Sequence, residues 1–113
     1  MIRTTLAILA LTSATPALAS DDRQQALDTF CSSISTLATS IMRSRQNGLP
    51  LTTLMDVVAL KSKEAMTGDM ARRMILQAYD QPRFSTDSYK ARAVIDFANE
   101  AALECHQTFG PDR

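Results

Sequence analysis

The sequence has no tryptophan, one histidine, two cysteines and three glycines in 113 residues. Each scarcity excludes something. Few glycines, with no run of β-branched residues alternating with polar ones, argue against a sheet protein. A single histidine, His106, has no partner at helical metal spacing: positions 102 and 103 are Ala and Leu, and 109 and 110 are Phe and Gly. No local zinc pair can form there. Neither cysteine belongs to a Cys-x-x-Cys motif, which argues against redox catalysis. There is no glycine-rich phosphate loop, no His-Glu-x-x-His and no nucleophile elbow. There is also no excess of one charge. Twelve Lys and Arg balance twelve Asp and Glu, so nothing marks the chain for nucleic acid or an anionic membrane.

The N-terminus reads MIRTTLAILALTSATPALAS. Arg3 gives a short positive start, Leu6–Leu11 a brief apolar run, and Pro16 interrupts it before Ala17-Leu18-Ala19. That order predicts a secretory signal peptide over residues 1–19, cut after Ala19. The apolar run is far below the roughly 20 residues of a spanning helix, so no membrane insertion is expected after cleavage. No cysteine follows the cut, which gives no support to a lipid anchor. The expected mature chain, residues 20–113, is a single helical domain in the periplasm or outside the cell. Without Arg3 its formal charge is close to −1.

Ninety-four residues make a marginal core. Cys31 and Cys105 both lie in the mature part, and in an oxidising compartment two such cysteines pair. The expected disulfide closes a loop across most of the domain.

Apolar residues recur at three and four, which predicts an all-α fold. A first helix is expected from Asp21 or Asp22, with Leu27, Phe30, Cys31, Ile34, Leu37, Ala38, Ile41 and Met42 inward. Arg43 and Arg45 suit its C-terminal dipole, and Asn47-Gly48-Leu49-Pro50 ends it. A second helix is expected from Thr52 or Thr53, with Thr53 and Asp56 shaped like a capping box. Leu54, Val57, Val58, Ala65 and Met66 would face inward. Gly68-Asp69 can end that helix and cap a third carrying Met70, Met74, Ile75 and Ala78. The alternative is one helix from Thr53 to Tyr79 with a tolerated glycine. A last helix is expected from Ser85–Asp87 to Phe109, with Val94, Phe97, Ala98, Ala101 and Cys105 inward. Antiparallel first and last helices set Cys31 level with Cys105, and Ile34, Ala38 and Ile41 near Ala101, Ala98 and Val94. Four helices running up and down give that arrangement, whereas three do not. A small four-helix bundle stapled by one disulfide is therefore the favoured architecture.

Other features each admit a plain explanation. Arg92, Asp96, Glu100 and Glu104 step by four along the last helix and read as a solvated face with an Arg92–Asp96 pair. Met42, Met55, Met66, Met70 and Met74 fill cores as readily as they line adaptable surfaces. The stretch AYDQPRFSTDSY (78–89) holds Tyr79, Phe84 and Tyr89, half of the six aromatic residues. Tyr79 continues the third helix's stripe, and Phe84 can staple against Tyr89 in the next first turn. The same residues with Arg83 could form a binding edge, since Tyr and Arg are favoured interface anchors. Both readings stand at the level of sequence.

IMRSRQNG, AYDQPRF and the bracketing cysteines resemble a group of small exported proteobacterial proteins, some borne on prophages. That group carries Cys, then Ile-Met-x-x-Arg-Gln-x-Gly, then Ala-Tyr-x-x-Pro-Arg, then a C-terminal Cys. The matching residues here are Cys31, Ile41, Met42, Arg45, Gln46, Gly48, Ala78, Tyr79, Pro82, Arg83 and Cys105. The resemblance spans nearly the whole mature region. It implies no activity and no catalytic residue.

The expected function is a non-enzymatic periplasmic binding protein without cofactor or metal, acting on another periplasmic protein. Inhibitor or immunity proteins and small stress chaperones share this architecture. A structural accessory of an envelope or phage-derived assembly is a further class. A small hydrolase or redox enzyme is disfavoured by the missing motifs.

Overall fold

Periodicity at three and four becomes four helices in a computed structural model: α1 (Pro16–Gln46), α2 (Leu51–Lys61), α3 (Ala65–Asp80) and α4 (Asp87–Phe109). The structure describes the backbone of residues 16–61 and 65–110, and the side chains of 21–61 and 67–110. Most of the expected signal segment, 1–15, lies outside them. There is no strand among the described residues.

The helices run up and down, and the main seam joins α1 to α4 in antiparallel register. Cys31 and Cys105 form a disulfide with Cα atoms 5.6 Å apart, well inside the span a disulfide bridges without backbone movement. Above it, Ser35 Oγ donates to the carbonyl of Ala98 at 3.4 Å. Below it, Phe30 and Phe109 meet edge to face, with centroids 5.4 Å apart. Further along, Lys90 of α4 reaches the last residue of α1. The core gathers Ala38, Ile41 and Met42 of α1, Leu54 and Val58 of α2, Ala71, Met74, Ile75 and Ala78 of α3, and Ala93 and Phe97 of α4. Ile34, Val94 and Ala101 pack against it, half-buried. Small residues at the seams, Ala38, Ala71, Ala78, Ala93 and Ala98, let the helix backbones approach closely.

Several boundaries differ from the expected ones. α1 is helical from the first described residue, Pro16, and so covers the expected cleavage point, where Ala-Leu-Ala favours helix. α2 begins at Leu51, with Leu54 N–H donating to the Pro50 carbonyl at 3.2 Å. Pro50 therefore stands at the cap, and Thr53 and Asp56 lie inside the helix rather than forming a capping box. α2 is described to Lys61 and α3 from Ala65, so Gly68-Asp69 lies inside α3 and does not end α2. Gly68 sits buried within α3, and Asp69 pairs at 3.7 Å with Arg72 one turn on instead of capping. Phe30 and Val57, both expected inward, are 39% and 38% exposed. Phe30 lies near the open end of the seam, where Phe109 is its partner. The Arg92–Asp96 pair is absent: the Lys or Arg ion pair among the described residues is Arg72–Asp69, and the His106 ring lies 3.9 Å from Asp28. Both Arg92 and Asp96 are exposed, where water competes with such a pair.

At the start of α4, Thr86 is the cap, with its Oγ1 accepting from Tyr89 N–H at 3.4 Å. Phe84 and Tyr89 pack at 5.9 Å between centroids, as the staple logic expects.

Candidate functional site

Two places collect side chains with chemistry: a polar latch at one end of the bundle, and an apolar groove towards the other. α1 closes with a Schellman motif. Leu49 N–H donates to the Ser44 carbonyl at 3.0 Å, and Gly48 N–H to the Arg45 carbonyl at 3.1 Å. This requires a left-handed residue at position 48, and Gly48 has φ +82°. A Cβ there would also meet the Arg83 guanidinium at 2.8 Å.

The ends of α1 and α3 lie side by side, so two sets of terminal carbonyls need partners. Each end supplies the other. Arg45 of α1 donates through Nε and Nη2 to the Gln81 carbonyl just past α3, at 3.2 and 3.0 Å. Arg83, just past α3, donates through Nε to the Gln46 carbonyl that ends α1, at 3.1 Å. Lys90 Nζ donates to that same oxygen at 3.1 Å. Two cations thus sit on the negative end of the α1 dipole. The Gln46 side chain, 1% exposed, bridges the turn after α3. Its Nε2 donates to the Pro82 carbonyl at 3.0 Å, and its Oε1 accepts from Phe84 N–H at 2.9 Å. Tyr79 O–H donates to the Leu49 carbonyl, and the Arg45 guanidinium lies 5.1 Å from the centre of the Tyr79 ring. No buried side-chain nitrogen or oxygen among the described residues lacks a partner.

The residues nominated as a binding edge are therefore neighbours, and most are committed. Tyr79 and Arg83 hold backbone oxygens, and Phe84 is fixed by Gln46. Arg83 and Tyr89 are the exposed members, and Tyr89, 58% exposed, is the one whose side chain holds no backbone oxygen. Burial raises the Tyr79 phenol above its ordinary 10.0, and the Arg45 charge opposes part of that rise. The folded state therefore resists ionising Tyr79. Its contribution to stability is full below pH 10 and is lost as pH rises through the higher folded value. The melting temperature is expected to fall between pH 9 and pH 11, and less steeply in Tyr79→Phe. That variant should itself cost about 1 kcal/mol at neutral pH.

The second place is a groove of about 140 Å³ between α3 and α4. Its floor is Ile34 of α1, and Met70, Met74, Ala101 and Phe109 line it. Cys105 of the disulfide borders it. Arg73 and Gln77 stand on the α3 wall, Glu104 and Thr108 on the α4 wall. Neither Arg73 nor Glu104 forms an ion pair with another described residue. Periodicity in the sequence had no means of finding this groove. It exists because α3 and α4 both pack on α1 without closing over it, which is a property of helix placement.

His106 lies outside the groove lining, with Nδ1 3.9 Å from Asp28 Oδ1 and both side chains largely exposed. No three His, Cys, Asp or Glu side chains gather in a metal-binding group among the described residues. No family model, curated protein or solved structure matches the chain.

Proposed function

We propose that the chain is an exported, non-enzymatic binding protein of the periplasm, and that its partner, another periplasmic protein, docks at the α3–α4 groove. The observation that carries this reading is the groove itself: an apolar floor, two methionines and unpaired charges on both walls. The use made of the polar side chains supports it. Arg45, Tyr79, Arg83 and Lys90 donate to backbone oxygens. Such groups hold a scaffold together and are not poised over a substrate. The disulfide fits an oxidising compartment. No helix among the described residues is long and apolar enough to cross a membrane.

The test is capture from periplasmic extract by the disulfide-intact protein, beside a Thr108→Trp variant that fills the groove from an exposed wall. The expected result is a protein retained by the parent and reduced at least tenfold on the variant. Equal capture by both removes the groove as the docking site. Indiscriminate retention of unfolded clients by both identifies a chaperone instead.

A further inference from the structure

The dimensions and chemistry of the groove narrow what fits it. We propose that it receives one aromatic side chain from an extended segment of a partner protein, flanked by an acidic residue on one side and a basic residue on the other. The proposal rests on the groove being the docking site.

Size comes first. A cavity of about 150 Å³ lined by aliphatic and aromatic groups is filled by one benzene, and this groove holds about 140 Å³. Sites for whole small molecules run to roughly 300–1,000 Å³. The lining comes second. Met70 and Met74 on α3 face a lining that includes Phe109 and Cys105 on α4. Sulfur against an aromatic ring is a favourable contact, and thioethers reshape around their occupant. An aliphatic side chain gains the burial without the sulfur contacts. Charge comes third. Arg73 on α3 and Glu104 on α4 stand on opposite walls, and neither is paired among the described residues. A segment crossing from α3 to α4 meets a positive group, then the apolar floor, then a negative group. In extended chain, residues two apart share a face, so an acid-x-aromatic-x-base pattern presents all three complements together.

The test uses the full chain with its disulfide formed and capped synthetic pentapeptides. Glu-Gly-Phe-Gly-Lys is titrated while methyl NMR signals are followed. Saturable shifts are expected at Ile34, Met70 and Met74. Replacing the central Phe by Ala should weaken binding by about tenfold or more, and Leu should bind more weakly than Phe. Arg73→Glu makes both walls acidic. It should lower affinity for the first peptide by about threefold and shift preference to Lys-Gly-Phe-Gly-Lys, a reversal that loss of structure would not produce. Absence of saturable shifts, shifts confined to other surfaces, or Leu and Phe binding equally would overturn the proposal. Groove shifts on concentrating the protein alone would overturn it in favour of a second copy as occupant. If the peptides fail while extract capture still depends on Thr108, the groove remains the docking site and only the aromatic assignment falls.

Discussion

Removing the Cys31–Cys105 bond is expected to cost about 4 kcal/mol, the chain-entropy value for a loop of this length. The sequence separation is 74 residues, so the bond constrains most of the unfolded chain. Net stabilities of small domains run to about 5–15 kcal/mol, and the loss is a large part of that. The midpoint of thermal unfolding should fall by roughly 20 °C. The effect is not confined to the unfolded state. Both sulfurs belong to buried residues on the α1–α4 seam, and the Phe30–Phe109 contact lies beyond them towards the end of α4. With the tie gone, that end of the seam should fray first, and the groove with it, since Cys105 and Phe109 line its α4 side. Thermal melts of the oxidised protein, the dithiol-reduced protein and Cys31→Ala/Cys105→Ala would measure this. A double variant within 1 kcal/mol of the parent would remove the disulfide as the principal staple.

The second large effect is expected at Gln46. It is the one buried polar residue of the described core, at 1% exposure. Its side chain satisfies both the Pro82 carbonyl and the Phe84 N–H. Gln46→Leu keeps much of the volume and abandons both backbone groups. An unsatisfied buried group costs about 1–3 kcal/mol, so a total of about 2–4 kcal/mol is expected by denaturant unfolding. Gln46→Glu is the sharper variant. A protonated glutamic acid can donate to Pro82 and accept from Phe84; the carboxylate can only accept, and it would be buried. Burial and the lost donor to Pro82 raise its folded pKa, against an opposing pull from Arg83 and Lys90 at the residue 46 carbonyl. Stability should then be nearest the parent at low pH and fall as pH rises through that value. A Gln46→Glu stability difference that is flat from pH 4 to pH 8 would contradict the bonding pattern.

Disulfide and glutamine contrast in how far each was legible beforehand. Two cysteines in a chain with an export-like N-terminus read directly as a pair, because the compartment that such an N-terminus predicts favours pairing. Antiparallel α1 and α4 followed, since only that arrangement sets the cysteines level. Gln46 carried no such signal. Its importance comes from two helix ends lying together, and nothing within eight residues of it in sequence is its side-chain partner except Met42. The motif halves around Arg45-Gln46 and Pro82-Arg83 stand 36 to 38 residues apart, and only packing shows that each end supplies the other's missing donors. The Gly68 break illustrates the opposite error. Glycine and aspartate side by side resemble a helix stop, yet Gly68 sits buried inside α3. Tertiary context overrides a modest propensity penalty there.

By itself the sequence determined that the chain is all-helical, that Asn47-Gly48 ends the first long helix, and that Cys31 and Cys105 tie the first helix to the last. These follow from residue spacing, turn chemistry and chain topology, which are local or covalent properties. Only the tertiary structure decided that the Arg-Gln and Tyr-Pro-Arg segments form one latch, and that α3 and α4 leave a groove of about 140 Å³ over α1. Both depend on where helices sit in relation to one another, and that is set by packing summed over the core.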